Sequence, residues 1–277
     1  MAYAPPLDLE LPLSEVPLVF LDLETTGLTI ADGHRVCEVA LVAVRGKIEQ
    51  ARMTLLIDPE REFDPQAAAV NGLNIAMLRG APRFAEAANS ILATIGNGLI
   101  VAHNAQFDLA FMNYELSLLG RPPLTNLTLD TLSLARRLLR RASYSLKALA
   151  TDLGLPHPTH RALDDVLALQ GVYDHLVELL AAQGVTSLGD ALRFERGLRP
   201  GEPEIELPPL ISQALSEQRR LQIIYSSRST PMPTRRMIRP LGLTREHSGI
   251  FLRAYCFLRN DLRTFALAKI TMMELAD

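Results

Sequence analysis

Phe20-Leu21-Asp22-Leu23-Glu24-Thr25-Thr26-Gly27-Leu28 puts two carboxylates at the end of an apolar run. The run from Val16 to Leu23 carries β-branched and aromatic residues and reads as a strand. Side chains alternate along a strand, so Asp22 and Glu24 share a face. Two acids at the end of a buried strand are costly unless something neutralises them, and a divalent cation would do so. Taken alone, the stretch is as well explained by a solvated strand end with acidic caps.

Outward from this strand, the pattern alternates. Val36–Val44 and Met53–Ile57 read as strands joined at Arg45-Gly46-Lys47. Pro82–Ile95 reads as a helix with Pro at its start, and Leu99–Ala102 as a short strand. Ala105–Leu119, Tyr144–Leu153 and Arg161–Ala182 are helical, stopped by Gly120, Gly154 and Gly184. Strands first and helices later, with some alternation, indicate an α/β fold with a mixed sheet. Arg199–Pro209 holds Pro200, Gly201, Pro203, Pro208 and Pro209 among acids, so it is expected to be a linker. Beyond it, Ile211–Arg220 looks helical. Leu221–Tyr225, Met237–Leu243, Gly249–Phe257 and Arg263–Ala268 look like closely spaced strands of a small barrel-like β domain.

Two further segments carry acids. In Val101-Ala102-His103-Asn104-Ala105-Gln106-Phe107-Asp108 a strand runs into a helix, with Asp108 in the first turn. An acid there can simply complement the helix dipole. In His160-Arg161-Ala162-Leu163-Asp164-Asp165 two acids compete. Asp165 lines up with the apolar stripe of Leu169, Val172 and Leu176. Asp164 lines up with Ala168, Gly171, His175 and Glu178, the side expected to be wet. Asp165 is therefore expected to point inward and Asp164 outward.

In order and approximate spacing, the three segments resemble the exonuclease motifs of the DEDDh (DnaQ-like) 3′→5′ exonucleases, over roughly Leu18 to Leu180. The resemblance implies a ribonuclease H-like fold. It implies that Asp22, Glu24, Asp108 and Asp165 hold two divalent cations, Mg²⁺ or Mn²⁺, and that His160 is the general base. A sister group carries tyrosine where this chain has His160. The chemistry needs such groups, because two cations about 3.5–4 Å apart can activate a water and stabilise both reacting oxygens. Hard cations favour carboxylate ligands. A neutral imidazole can accept the water's proton near its reference pKa of about 6.5.

The same resemblance implies substrate contacts. Thr25 and Thr26 would meet the 3′ end through backbone or hydroxyl groups. Leu28 would wedge against the terminal base, and Asn104 and Phe107 would line the groove. Locally, Thr-Thr-Gly also reads as a turn, and Leu28 and Phe107 as core. Pro240-Leu241-Gly242-Leu243, Gly249-Ile250-Phe251-Leu252-Arg253-Ala254-Tyr255 and Asp261-Leu262-Arg263-Thr264-Phe265-Ala266-Leu267 look like a WYL domain, covering about Leu210 to Ile270. Ile250-Phe251-Leu252 stands in place of the naming Trp-Tyr-Leu. Such domains imply a nucleic-acid or nucleotide-like ligand, with Arg253 and Arg263 as candidate contacts. Packing or dimerisation is the competing role.

The 277 residues are 48% apolar and 21% charged, which excludes a mostly disordered chain. No apolar run reaches the roughly 18 residues of a membrane span. Met1–Pro17 has acids but no Lys or Arg, unlike a secretory signal. Cys37 and Cys256 form no CxxC motif, and two free thiols fit a reducing cytoplasm. The net charge of −3 is unevenly spread: residues 1–185 sum to −7, and residues 207–277 to +6. The basic end suits a phosphate-bearing partner. A chain-wide preference for Arg, 25 against 3 Lys, accounts equally well for its composition.

The expected organisation is a flexible leader over 1–15, an exonuclease domain over 16–185, a linker over 186–208 and a WYL-like domain over 209–277. The expected activity is release of nucleoside monophosphates from 3′ ends of single-stranded or frayed DNA. A DNA polymerase or repair partner is implied by the proofreading subunits among the similar proteins. The alternatives are an exoribonuclease or oligonucleotide-degrading enzyme, and a ligand-sensing regulatory protein that uses the nuclease fold as scaffold. Oligomeric state is left open.

Overall fold

The computed structural model describes residues 7–227, 232–259 and 261–276. The chain divides into two compact units, Met1–Glu195 and Arg196–Asp277.

The first unit is built on a five-stranded sheet of order β3-β2-β1-β4-β5. The strands are β1 (Pro17–Thr25), β2 (Val36–Arg45), β3 (Ile48–Leu56), β4 (Leu99–Ala102) and β5 (Thr128–Asp130). β1, β2 and β3 are antiparallel neighbours, whereas β4 and β5 run parallel to β1. Among the described residues of this unit, seven α-helices are interleaved with and follow the strands: α1 (Pro65–Asn71), α2 (Phe84–Ile95), α3 (Ala105–Leu118), α4 (Thr131–Leu138), α5 (Leu146–Asp152), α6 (Ala162–Ala181) and α7 (Leu188–Glu195).

Alternation along β1 makes two cores. Leu18 and Phe20 join Val166, Leu169, Val172 and Leu176 of α6 on one face. Val19, Leu21 and Leu23 join Ile91 of α2 and Phe111 and Leu116 of α3 on the other. Phe20 stands edge-on to Tyr173, with ring centroids 5.3 Å apart. Continuing the same alternation, Asp22 and Glu24 project to the face that α6 covers. α3 begins just beyond β4, so its first turn also reaches the carboxyl end of β1. Ligand sites of open α/β sheets collect at such ends.

The second unit is α8 (Pro209–Ser216) and an antiparallel sheet of order β10-β6-β7-β8-β9. Its strands are β6 (Arg220–Tyr225), β7 (Thr234–Glu246), β8 (Gly249–Cys256), β9 (Asp261–Ala266) and β10 (Ile270–Ala276). Ile211 and Ala214 of α8 share a core with Leu221, Ile223, Ile238, Leu252 and Phe265.

Four expectations are corrected. Residues 7–15 are not a loose leader: Leu13 is buried, and Leu9, Leu11 and Leu13 hydrogen-bond to Gly189, Leu188 and Thr186 through the backbone. Residues 1–6 of that expected leader lie outside the described residues. The segment expected as a linker contains α7, which packs with α4 and β5, and its later part buries Leu198 and Ile205 in the second core. Proline density there marked irregular backbone correctly but concealed the apolar anchors. The C-terminal sheet is open among the described residues, with β10 and β9 as its two edges, where a barrel-like arrangement was expected. Ala168 is fully buried although its stripe on α6 was expected to be wet. α4 and α5 cover that flank while β1 and β2 cover the other.

Candidate active site

The four acids arrive on three supports. Asp22 and Glu24 stand half-buried on the last turns of pleat in β1. Asp108, in the first turn of α3, is 4% exposed. Asp165, in the first turn of α6, is 7% exposed, while its neighbour Asp164 is exposed. Asp165 Oδ1 accepts the backbone N–H groups of Thr159 (3.0 Å) and His160 (3.1 Å), which draws the loop before α6 onto the acid. His160 itself is exposed and holds a left-handed backbone, φ 60°. Glu24, His160 and Asp165 each bring one ligand-capable atom within 4.8 Å of the others.

The electrostatics tie all four acids into one cluster. Burial pushes the Asp22 carboxyl well above the usual range, and the charges of Asp108, Asp165, Glu24 and Glu38 add to it. Glu24 is raised from its ordinary 4.5 to about 8, by burial first and then by Asp165 and Glu38. Asp108 is raised by burial, against hydrogen bonds from the backbone of Asp108 and Leu23. Asp165 is also raised by burial, with the His160 charge and two backbone N–H groups pulling the other way. Carboxylates held this close repel one another until protons or cations join them. A set of four carboxylates with one imidazole at its rim fits hard divalent cations such as Mg²⁺ or Mn²⁺.

The surrounding residues divide by exposure. Leu28 is 81% exposed, so it is not a core residue. Phe107 is half-buried against Phe111, with ring centroids 4.9 Å apart. Asn104 is exposed with φ 68°, and its N–H is donated to Asp130 Oδ1 at 2.9 Å. The hydroxyls expected to meet a substrate are already used within the turn. Thr25 Oγ1 donates to the Gly27 carbonyl at 2.7 Å, and Thr26 Oγ1 accepts the Arg35 N–H at 3.1 Å. Thr26 Oγ1 also pairs with His34 Nδ1 at 3.1 Å. Arg253 and Arg263, the two candidate contacts of the second unit, are separated by register. Arg253 lies opposite Thr264 and Arg263 opposite Ala254, so they stand on opposite faces of their sheet.

Three supporting groups escaped the sequence reading. Glu38, 1% exposed, sits opposite Glu24 in the β1–β2 register and accepts a two-pronged bond from Arg161 at 3.1 and 2.8 Å. A lone charge inside the apolar run Val36–Val44 was the available signal. Asn71 of α1 donates to the Thr25 carbonyl at 3.3 Å, and its side chain favours the charged form of Glu24 against the effect of burial. Asp130 ends β5, caps α4 through Leu132 N–H and holds the start of α3 through Asn104 N–H.

Residues 19–173 match the family described as exonuclease. The chain belongs to the exonuclease family. Residues 206–275 match the WYL domain, despite the replaced naming residues. Over 170 residues the chain is 36% identical to the DNA polymerase III subunit epsilon of Rickettsia prowazekii, covering 58% of this chain and 74% of that one. The subunit epsilon of Escherichia coli is 30% identical over 221 residues, 76% of this chain and 86% of the relative. A solved structure, exonuclease X in complex with 5′ overhanging duplex DNA, aligns with 63% of this chain and 98% of its own at 27% identity and a TM-score of 0.49. The first unit of this exonuclease is thus DnaQ-like, with a mixed sheet and flanking helices, and the second is a WYL domain. No helix among the described residues is long and apolar enough to cross a membrane.

Proposed function

We propose that the protein is a metal-dependent 3′→5′ exonuclease of the DEDDh type acting on single-stranded or frayed DNA. The observation that carries this is the convergence of Asp22, Glu24, Asp108 and Asp165 with His160 at their rim. The four carboxylates would hold two Mg²⁺ or Mn²⁺ ions, which when bound supply charge stabilisation to the attacking and leaving oxygens. His160 accepts the proton of the attacking water, and its exposed position lets it meet the solvent side of the phosphorus. The water oxygen bonds to phosphorus, the bond from phosphorus to the 3′-oxygen breaks, and that oxygen takes up a proton from solvent, so the shortened chain leaves with a 3′-hydroxyl. A nucleoside 5′-monophosphate is released.

Leu28, exposed beside the cluster in sequence, supports a wedge against the last base, which favours ends that are already unpaired. Asn104 and Phe107 flank the strand in this reading, while Thr25 and Thr26 shape the turn with their hydroxyls. The relatives' name, DNA polymerase III subunit epsilon, supports DNA as substrate and a polymerase partner; in this reading the enzyme proofreads or repairs DNA in the cytoplasm. The WYL domain serves as an accessory surface for nucleic acid.

Digestion of end-labelled DNA and RNA oligonucleotides, single and double stranded, tests the proposal with Mg²⁺, Mn²⁺ and EDTA. Mononucleotides should leave 3′ ends of single-stranded DNA, EDTA should stop it, and Asp22→Ala should remove nearly all turnover. Faster RNA digestion would transfer the same chemistry to an exoribonuclease. An Asp22→Ala variant at wild-type rate would sink the site.

A further inference from the structure

We infer that Arg161 and Glu38 are a positioning pair: together they hold His160 at the rim of the acid cluster and keep a fifth carboxylate out of the metal site. The inference rests on the proposed exonuclease reading and goes past it to residues outside the four acids and the base.

The argument starts with register. Glu38 stands directly opposite Glu24 across β1 and β2, so their side chains leave the same face of the sheet. Like charges so placed repel. Glu38 is also 1% exposed, and its charge is felt by both Asp22 and Glu24. By position and chemistry it is a fifth member of the cluster. Its oxygens are nevertheless occupied. Arg161 Nη2 donates to Oε1 at 2.8 Å, and Arg161 Nε donates to Oε2 at 3.1 Å. Ala162 N–H adds a third bond to Oε2 at 3.2 Å. A planar guanidinium fork matches a carboxylate in two places, which a single ammonium cannot do.

The same bonds fix the loop. Arg161 is the residue between His160 and the first turn of α6, and its side chain makes no capping bond to that turn. Glu38 takes this role from across the sheet, anchoring the backbone at Ala162 and the side chain at Arg161. Asp165 anchors the preceding two residues through Thr159 and His160 N–H. His160 therefore sits between two clamps, and its left-handed backbone is held from both sides. Loss of the Arg161 clamp loosens one side and leaves Glu38 free to bind a cation meant for its neighbours.

The test combines turnover with Mn²⁺ binding, measured by titration and electron paramagnetic resonance, for wild type, Arg161→Ala, Arg161→Lys and the double variant Arg161→Ala/Glu38→Gln. Arg161→Ala should lower kcat about 10–100-fold, the range for groups that hold metal ligands in place, with KM nearly unchanged. It should bind Mn²⁺ more tightly than wild type, because a free acid has joined the cluster. Added guanidinium should restore part of kcat. Arg161→Lys, the safer variant for folding, should show the same two changes in milder form. The double variant should return Mn²⁺ affinity to the wild-type value while kcat stays low. Slower turnover together with weaker Mn²⁺ binding, a lower melting temperature and no rescue means a purely structural ion pair and overturns the inference. So do wild-type kcat and Mn²⁺ affinity in Arg161→Ala. Wild-type protein that neither binds Mn²⁺ nor degrades 3′ ends overturns the exonuclease reading as well.

Discussion

Asp164 and Asp165 are adjacent in sequence and opposite in environment. Asp164 is exposed and accepts the Thr159 hydroxyl at 2.6 Å, whereas Asp165 is buried beside Glu24 and His160. Asp165→Asn keeps the oxygen that accepts two backbone N–H groups, so the fold should survive. It removes the charge, and kcat should fall at least about 10²-fold, the scale for losing one group that stabilises transition-state charge. Asp164→Asn should change kcat by no more than about twofold, as for most surface substitutions. The reverse ranking in steady-state assays would overturn the register assigned to α6. Glu24 gives a pH signature. Its carboxyl is raised in the folded protein from 4.5 to about 8, so between those values the folded state holds a proton that the unfolded state has released. Stability of the metal-free protein is then greatest below about pH 4.5 on this account and declines as pH rises toward 8. Cations displace that proton, so stabilisation by Mg²⁺ should grow across the same window. Thermal melts with and without Mg²⁺ from pH 5 to 9 would check it, and an Mg²⁺ effect that shrinks with rising pH would contradict it.

The turn after β1 shows what an element's end demands. A methyl group at Gly27 would lie 2.3 Å from the His34 ring, which is buried and tied to Thr26. Gly27→Ala is an overpacking change of the kind that costs about 1–3 kcal/mol. It should lower the melting temperature and reduce activity, because Leu28 follows directly. Adding His34→Ala should recover part of the stability; equal melting temperatures for wild type and Gly27→Ala would refute the packing argument. β1 itself was legible because its apolar run is long, holds β-branched and aromatic residues and ends in acids, and α6 because a stripe of Leu169, Val172 and Leu176 sorts its residues. The elements that went unread are short or owe their form to neighbours. α1 has seven residues and no apolar stripe, yet it delivers Asn71 to Glu24. β5 has three residues, recognisable only by pairing with β4. α4 carries Arg136 and Arg137 in its last turn, and its buried side is visible only once α6 is packed against it. The Glu38–Arg161 pair joins residues far apart in sequence, a contact that neither local pattern announces.

At the scale of the whole molecule, the two units carry opposite charge. Met1–Glu195 sums to −8 and Arg196–Asp277 to +5, although the catalytic unit must attract a polyanion. Bound cations offset part of the local repulsion, but screening limits their reach to about 10 Å. The WYL domain supplies the missing attraction if it holds nucleic acid near the site and so raises its effective concentration. A chain ending at Glu195 keeps both cores of the first unit, so it should still hydrolyse short oligonucleotides. It should bind long single strands more weakly and with a shallower salt dependence, since each lost phosphate contact removes about 0.7 from the logarithmic slope. Register sharpens this further. Arg253 and Arg263 face opposite sides of the sheet, so a strand lying on one side meets only one of them. Either Arg253→Ala or Arg263→Ala, but not both, should therefore reduce the slope in the full-length protein. Equal slopes for full-length and truncated protein at every salt concentration, or a truncation that alters only oligomeric mass, would assign the domain to assembly instead. Equal losses from both arginine variants would contradict one-sided binding and mean that the strand wraps the sheet edge at β9, beside which both arginines lie.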